Sequence, residues 1–178
     1  FKSDYYLAHH NLGITLQNLG RLDKAEESYT QAIALKADFA EAHCNLGTVV
    51  KKLGKLKEAE ASYRLAIKYK PELVEAHLNL GILLKGLGRL KESVASYRKV
   101  TIYKPDFVEA YNNLGVTLGK QGKLEDAIEA YQKSISLKPN YAEAYSNMGN
   151  TLKDQVKLDE AIETYNKAKT LKPNDPDV

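Results

Sequence analysis

Val74-Glu75-Ala76-His77-Leu78-Asn79-Leu80-Gly81-Ile82-Leu83-Leu84-Lys85-Gly86-Leu87-Gly88 decides the fold. Its apolar residues Leu78, Leu80, Ile82, Leu83, Leu84 and Leu87 recur at helical spacing. The pattern predicts a helix over Glu75 to Leu87, ended by Gly88, which takes a left-handed conformation at little steric cost. A second helix is expected over Lys91 to Lys104, stopped by Pro105, which lacks an amide hydrogen and clashes with the preceding turn. Asp106 and Glu109 then have capping-box spacing for the next helix, as do Asp38 with Glu41 and Asn140 with Glu143.

The same text recurs every 34 residues, at Leu12-Gly13, Leu46-Gly47, Leu80-Gly81, Leu114-Gly115 and Met148-Gly149. Tyr29, Tyr63, Tyr97, Tyr131 and Tyr165 keep this step, and so do Pro71, Pro105, Pro139 and Pro173, with Ala37 in the first repeat's slot. The units are therefore 6–39, 40–73, 74–107, 108–141 and 142–175. Residues 1–5 read as the tail of a preceding unit, and Pro176-Asp177-Val178 would enter a further one, as if the chain came from a longer array. One helical hairpin cannot bury both of its apolar faces, so identical hairpins are expected to stack. Gly81 allows close helix approach, and Ala25, Ala59, Ser93, Ala127 and Ala161 sit where second helix meets first. A large tyrosine four residues later is expected to fill the gap to a neighbour.

The pattern aromatic-x-x-Leu-Gly-x-x-Leu, then Ala, Tyr and Pro, in units of 34, resembles the tetratricopeptide repeat (TPR) across essentially the whole chain. The resemblance implies an all-α, right-handed superhelical solenoid of antiparallel helix pairs, with first helices lining the concave side. Tyr145-Ser146-Asn147-Met148-Gly149-Asn150-Thr151-Leu152-Lys153 is also similar to repeats of O-linked N-acetylglucosamine transferases and of bacterial TPR proteins. That gives the alternative reading, a substrate-presenting arm of a larger transferase whose catalytic domain lies outside these residues.

The implied role is a scaffold for a protein or extended peptide. Asn11, Asn45, Asn79, Asn113 and Asn147 share one slot on the first helices. A primary amide offers two donors and two lone pairs, enough to clamp a peptide backbone without reading side chains. Specificity would come from the neighbouring slot of His10, Cys44, Leu78, Asn112 and Ser146, and from Ile14, Thr48, Ile82, Val116 and Asn150 one turn on. Leu78, Ile82 and Val116 make an apolar centre. Lys51, Lys85 and Lys153 follow, suiting an acidic ligand or simply the helix C-termini. The basic clamp with which some family members hold a terminal carboxylate is missing, because Glu41, Glu75, Glu109 and Glu143 stand at the first-helix starts.

Other chemistry finds little support. The 178 residues carry 26 basic and 23 acidic groups, without the concentrated stripe that nucleic acid demands. Five of the 12 tyrosines occupy the packing slot rather than a base-stacking platform. Cys44 is the sole cysteine, which excludes an internal disulfide and suits a reducing cytoplasm. His9, His43 and His77 alternate with Tyr111 and Tyr145 in one slot, a core pattern rather than a metal site. No catalytic residue, metal, cofactor or membrane segment is expected.

Four departures carry expectations. Val156 replaces the helix-ending glycine, so its turn should differ or be strained. Gly86 and Gly119 lie within first helices at a cost of about 0.5–1 kcal/mol each. Ala37, lacking proline's stop, predicts a slightly longer second helix. The final repeat has no polar cap, so the face around Ala161, Tyr165 and Ala168 is expected to be exposed or covered through self-association.

Overall fold

The computed structural model describes residues 5–172. They form ten α-helices: α1 (Tyr5–Asn18), α2 (Leu22–Leu35), α3 (Ala40–Lys52), α4 (Leu56–Tyr69), α5 (Val74–Gly86), α6 (Leu90–Tyr103), α7 (Val108–Lys120), α8 (Leu124–Leu137), α9 (Ala142–Asp154) and α10 (Leu158–Leu171). Among the described residues there is no strand. The expectations on residues 1–4, Pro173 and Pro176 onward lie outside the described residues. The chain divides into two compact units, Phe1–Leu83 and Leu84–Val178, with the division inside α5. In the first unit α1 pairs with α2, α3 with α4, and α2 packs on α3. In the second, α7 pairs with α8 and α9 with α10, while α6 packs on α7 and α8 on α9.

The α1–α2, α3–α4, α7–α8 and α9–α10 hairpins close by glycine meeting tyrosine. A Cβ built on Gly13, Gly47, Gly115 or Gly149 would fall 2.6–2.7 Å from the ring of Tyr29, Tyr63, Tyr131 or Tyr165. Only glycine lets the ring approach the first helix this closely, and the aromatic surface so buried is a large hydrophobic gain in these hairpins. The first helices end in one turn type. Gly54 N–H donates to Lys51 O at 3.0 Å and Lys55 N–H to Val50 O at 2.9 Å, the paired bonds of a Schellman motif. Gly20, Gly54, Gly88 and Gly122 have φ of 72°, 80°, 73° and 76°.

Val156 makes the same turn. Its N–H donates to Lys153 O at 2.9 Å, Lys157 N–H donates to Leu152 O at 3.0 Å, and φ is 62°. The turn therefore does not differ; the strain does. A left-handed L-residue costs roughly 1–2 kcal/mol, and glycine returns part of that gain as chain entropy. Val156 is 76% exposed, so little packing is at stake. Val156→Gly should raise stability by about 1 kcal/mol, measurable by urea denaturation; an unchanged or lower midpoint contradicts the strain.

Three expectations are corrected. First, α3, α7 and α9 are N-capped by Phe39, Phe107 and Tyr141, with no side-chain cap hydrogen bond, so Asp38, Asp106 and Asn140 are not the caps. Packing sets the start of α3, where Phe39 meets Tyr6 and His10 with ring centroids 5.0 and 4.7 Å apart. Second, α2 has the same 14 residues as α4 although Ala37 replaces proline. The following turn is held instead by His43, whose Nε2–H donates to Ala37 O at 2.9 Å, as His77 Nε2–H donates to Pro71 O at 2.7 Å. Third, Ala161 and Ala168 are buried and Tyr165 half-buried; these small residues serve the α9–α10 contact. The exposed apolar residues of α10 are Leu158 at 54% and Ile162 at 58%.

Candidate functional site

The asparagine slot sits at the middle of each first helix, and each asparagine after the first is tied sideways. In the first unit Asn45 Nδ2 donates to His10 Nε2 at 3.0 Å. His10 is therefore neutral there; burial lowers its pKa, and Glu41 partly opposes this. Asn79 Nδ2 donates to Thr48 Oγ1 at 3.4 Å and approaches Cys44 Sγ at 4.0 Å. Thr48 gives its own proton to Cys44 O and also accepts from Tyr63 OH at 3.3 Å, so it can only accept from Asn79. Cys44 is buried, and burial pushes its thiol up to about 11, which leaves no thiolate for nucleophilic chemistry at neutral pH.

In the second unit Asn147 Nδ2 donates to Asn112 Oδ1 at 3.0 Å. Asn112 in turn donates to Glu143 Oε1 at 2.9 Å, and Tyr141 OH donates to Glu143 Oε2 at 3.0 Å. Asn112 is 2% exposed with both ends of its amide engaged, so its place is between helices rather than at the surface. Asn113 Oδ1 accepts from Lys85 Nζ at 3.0 Å. Burial, then the neighbouring Lys120, lowers the pKa of Lys85, while Glu143 raises it.

Of the residues singled out from sequence, the structure joins Lys85 to Asn113, and Asn112 to Asn147. Leu78 and Ile82 are half-buried in the first unit, Val116 in the second. Lys51 is half-buried, Lys153 and Asn11 are exposed. Sequence reasoning missed the role of Glu143 as acceptor for Asn112, and it missed Lys120 beside Lys85. The signal for Glu143 was its place beside the asparagine slot; Lys120 is one residue out of register because Gly119 holds the lysine position. His43 and His77 face backbone carbonyls, and among the described residues no group of three or more His, Cys, Asp or Glu could hold a metal ion. No helix among them is long and apolar enough to cross a membrane.

Two comparisons with known proteins agree with this architecture. The family described as TPR repeat matches residues 18–54, 49–88, 84–122 and 120–156, and related tetratricopeptide-repeat descriptions match 6–29 and 142–175. The chain belongs to the tetratricopeptide-repeat family. Among solved structures, this TPR chain is similar to MamA at 24% identity and a TM-score of 0.86, covering 90% of this chain and 94% of that one. MamA from Desulfovibrio magneticus RS-1 aligns at 20% identity and TM-score 0.90 over 99% of both chains. YrrB, described as a TPR protein with an unusual peptide-binding site, aligns at 23% identity and TM-score 0.83 over 93% of this chain and 86% of its own. No curated protein sequence matches the chain. At these identities the structural likeness concerns the fold: an all-α TPR solenoid of antiparallel helix pairs.

Proposed function

We propose that this TPR chain is a non-catalytic interaction scaffold that holds an extended peptide segment of a partner protein on its first-helix face. One observation carries the reading. Asn45, Asn79, Asn113 and Asn147 each have one end of the amide fixed by a neighbouring side chain. The other end has no partner among the described residues. Three of them thus keep a carbonyl oxygen available and one, Asn113, keeps its NH2. An extended backbone offers N–H and C=O groups in alternation and can meet both kinds. An amide whose rotamer is already fixed loses less entropy on binding than a free one. Half-buried Leu78, Ile82 and Val116 supply apolar contact beside the amides in their own units. Lys51 and Lys85 stand at the helix ends. The family's general use in protein interaction, and the peptide-binding description of YrrB, support the same reading.

The test is a peptide selected by display against the whole chain. Its affinity should fall several-fold for Asn79→Ala or for Asn113→Ala, whichever lies in the unit it occupies, since a hydrogen bond to the ligand is lost at about 0.5–1.5 kcal/mol. Equal affinity in calorimetry would make the amides structural only. A thermal midpoint within a few degrees of the parent's keeps the comparison clean, because Asn79 is held by long bonds and Asn113 only accepts.

A further inference from the structure

Lys85 is a half-buried cation whose one hydrogen-bond partner is a neutral amide. Among the described residues no carboxylate lies within ion-pair distance of it, unlike Lys55 and Lys70, which meet Glu26 and Glu41 at 2.7 Å. Lysine can only donate, so Asn113 must present Oδ1 to it, and the Asn113 NH2 is thereby turned away without a partner. The ammonium keeps two further protons. Lys120, the last residue of α7, brings a second positive charge close enough to disfavour the first. Glu143, the acidic group felt by Lys85, already has both oxygens occupied by Asn112 and Tyr141. The cluster is thus made of donors with unspent protons and carries two positive charges against the one negative charge of Glu143, which makes no ion pair with Lys85.

We infer that Lys85, Asn113 and Lys120 form a carboxylate subsite, which takes an Asp or Glu side chain of the bound peptide. This rests on the peptide-binding reading above. One carboxylate oxygen would accept from Lys85 and the other from the Asn113 NH2; Lys85 balances the ligand's charge, and Lys120 offsets that of Glu143. Half-buried Val116 lies three residues beyond Asn113 on α7, within one turn, so an apolar ligand residue would sit next to the acidic one. Lys85 and Lys120 stand in the last turns of α5 and α7, whose dipoles favour the two cations and oppose an anion, so attraction for a carboxylate must come from the lysines and the Asn113 amide at mid-helix.

The experiment titrates the labelled 178-residue chain with two capped peptides, acetyl-Gly-Leu-Glu-Leu-Gly-amide and its Gln isostere, following asparagine side-chain amides and lysine ε-methylenes by NMR. The Glu peptide is expected to bind about tenfold tighter at low salt and to move the Lys85 resonance. Lys85→Met should bring the two peptides level, and Lys85→Arg should restore the preference. Equal binding of both peptides to the parent, with Asn113 and Asn147 still shifting, overturns the subsite and leaves peptide binding standing. If neither peptide moves any asparagine amide, both readings fall. Should Lys85→Met unfold, salt decides on the parent alone: a Glu preference that fades at 0.5 M salt supports the subsite, and one that does not overturns it.

Discussion

Tyr97→Ala should destabilise the chain by about 3–5 kcal/mol, the usual loss for deleting a buried aromatic side chain. Tyr97 is fully buried, and alanine would leave a ring-sized void in a repeat that depends on its neighbours. Its hydroxyl adds little, because it is buried without a hydrogen bond of full geometry and has only a weak interaction with Ser93. The residue fifteen positions earlier accepts this proton for Tyr63 and Tyr165, through Thr48 and Asn150, but the third repeat has Ile82 in that slot. Tyr97→Phe should therefore be neutral or slightly stabilising, whereas Tyr63→Phe should lose about 1 kcal/mol. Chemical denaturation of the three variants checks the set. A small cost for Tyr97→Ala, or a larger one for Tyr97→Phe than for Tyr63→Phe, contradicts the packing described.

Gly115→Ala is the second large effect, and it runs against helix propensity. Alanine gains up to about 1 kcal/mol over glycine inside a helix. Here its methyl carbon would lie 2.6–2.8 Å from three atoms of the Tyr131 ring. That ring is buried and cannot swing into solvent, so the helices must separate. Overpacking of this kind costs typically 1–3 kcal/mol, and we expect a net loss of about 1–2. Gly119→Ala on the same helix is the control. Its Cβ would meet Thr151 Oγ1 at 3.8 Å and Ala127 Cβ at 3.9 Å, ordinary contact, so the propensity gain should appear. If both substitutions shift the thermal midpoint in the same direction, the close approach at Gly115 is not what holds the hairpin.

The hairpins were legible because their signals are local. Apolar residues at helical spacing and a glycine at positive φ follow from sequence neighbours alone; the tyrosine, expected to fill the gap to a neighbour, is found against the glycine of its own hairpin. The histidine slot was read as core, and His43 and His77 are buried there, though their grip on Ala37 and Pro71 carbonyls was not foreseen. What sequence did not show depends on contacts between repeats. Asp38 and Glu41 have capping-box spacing, yet Phe39 takes the cap because its ring is needed against Tyr6 and His10. The face around Ala161, Tyr165 and Ala168 is expected from sequence to be exposed or covered by another chain, but Ala161 and Ala168 are buried within the last hairpin. At the candidate site the asparagine slot was visible as a column. Its sideways bonds were not, because they link Asn45 to His10 and Asn147 to Asn112, partners one residue out of the 34-residue register.

The amide column is the feature on which the functional reading turns, and a chemical-shift map with a display-selected peptide tests it most directly. For a peptide held by the second unit, the expected map has its largest changes at the side-chain amides of Asn113 and Asn147 and at Val116, all on first helices. Changes concentrated instead on the exposed faces of α4, α6, α8 and α10, with those amides unmoved, would contradict it.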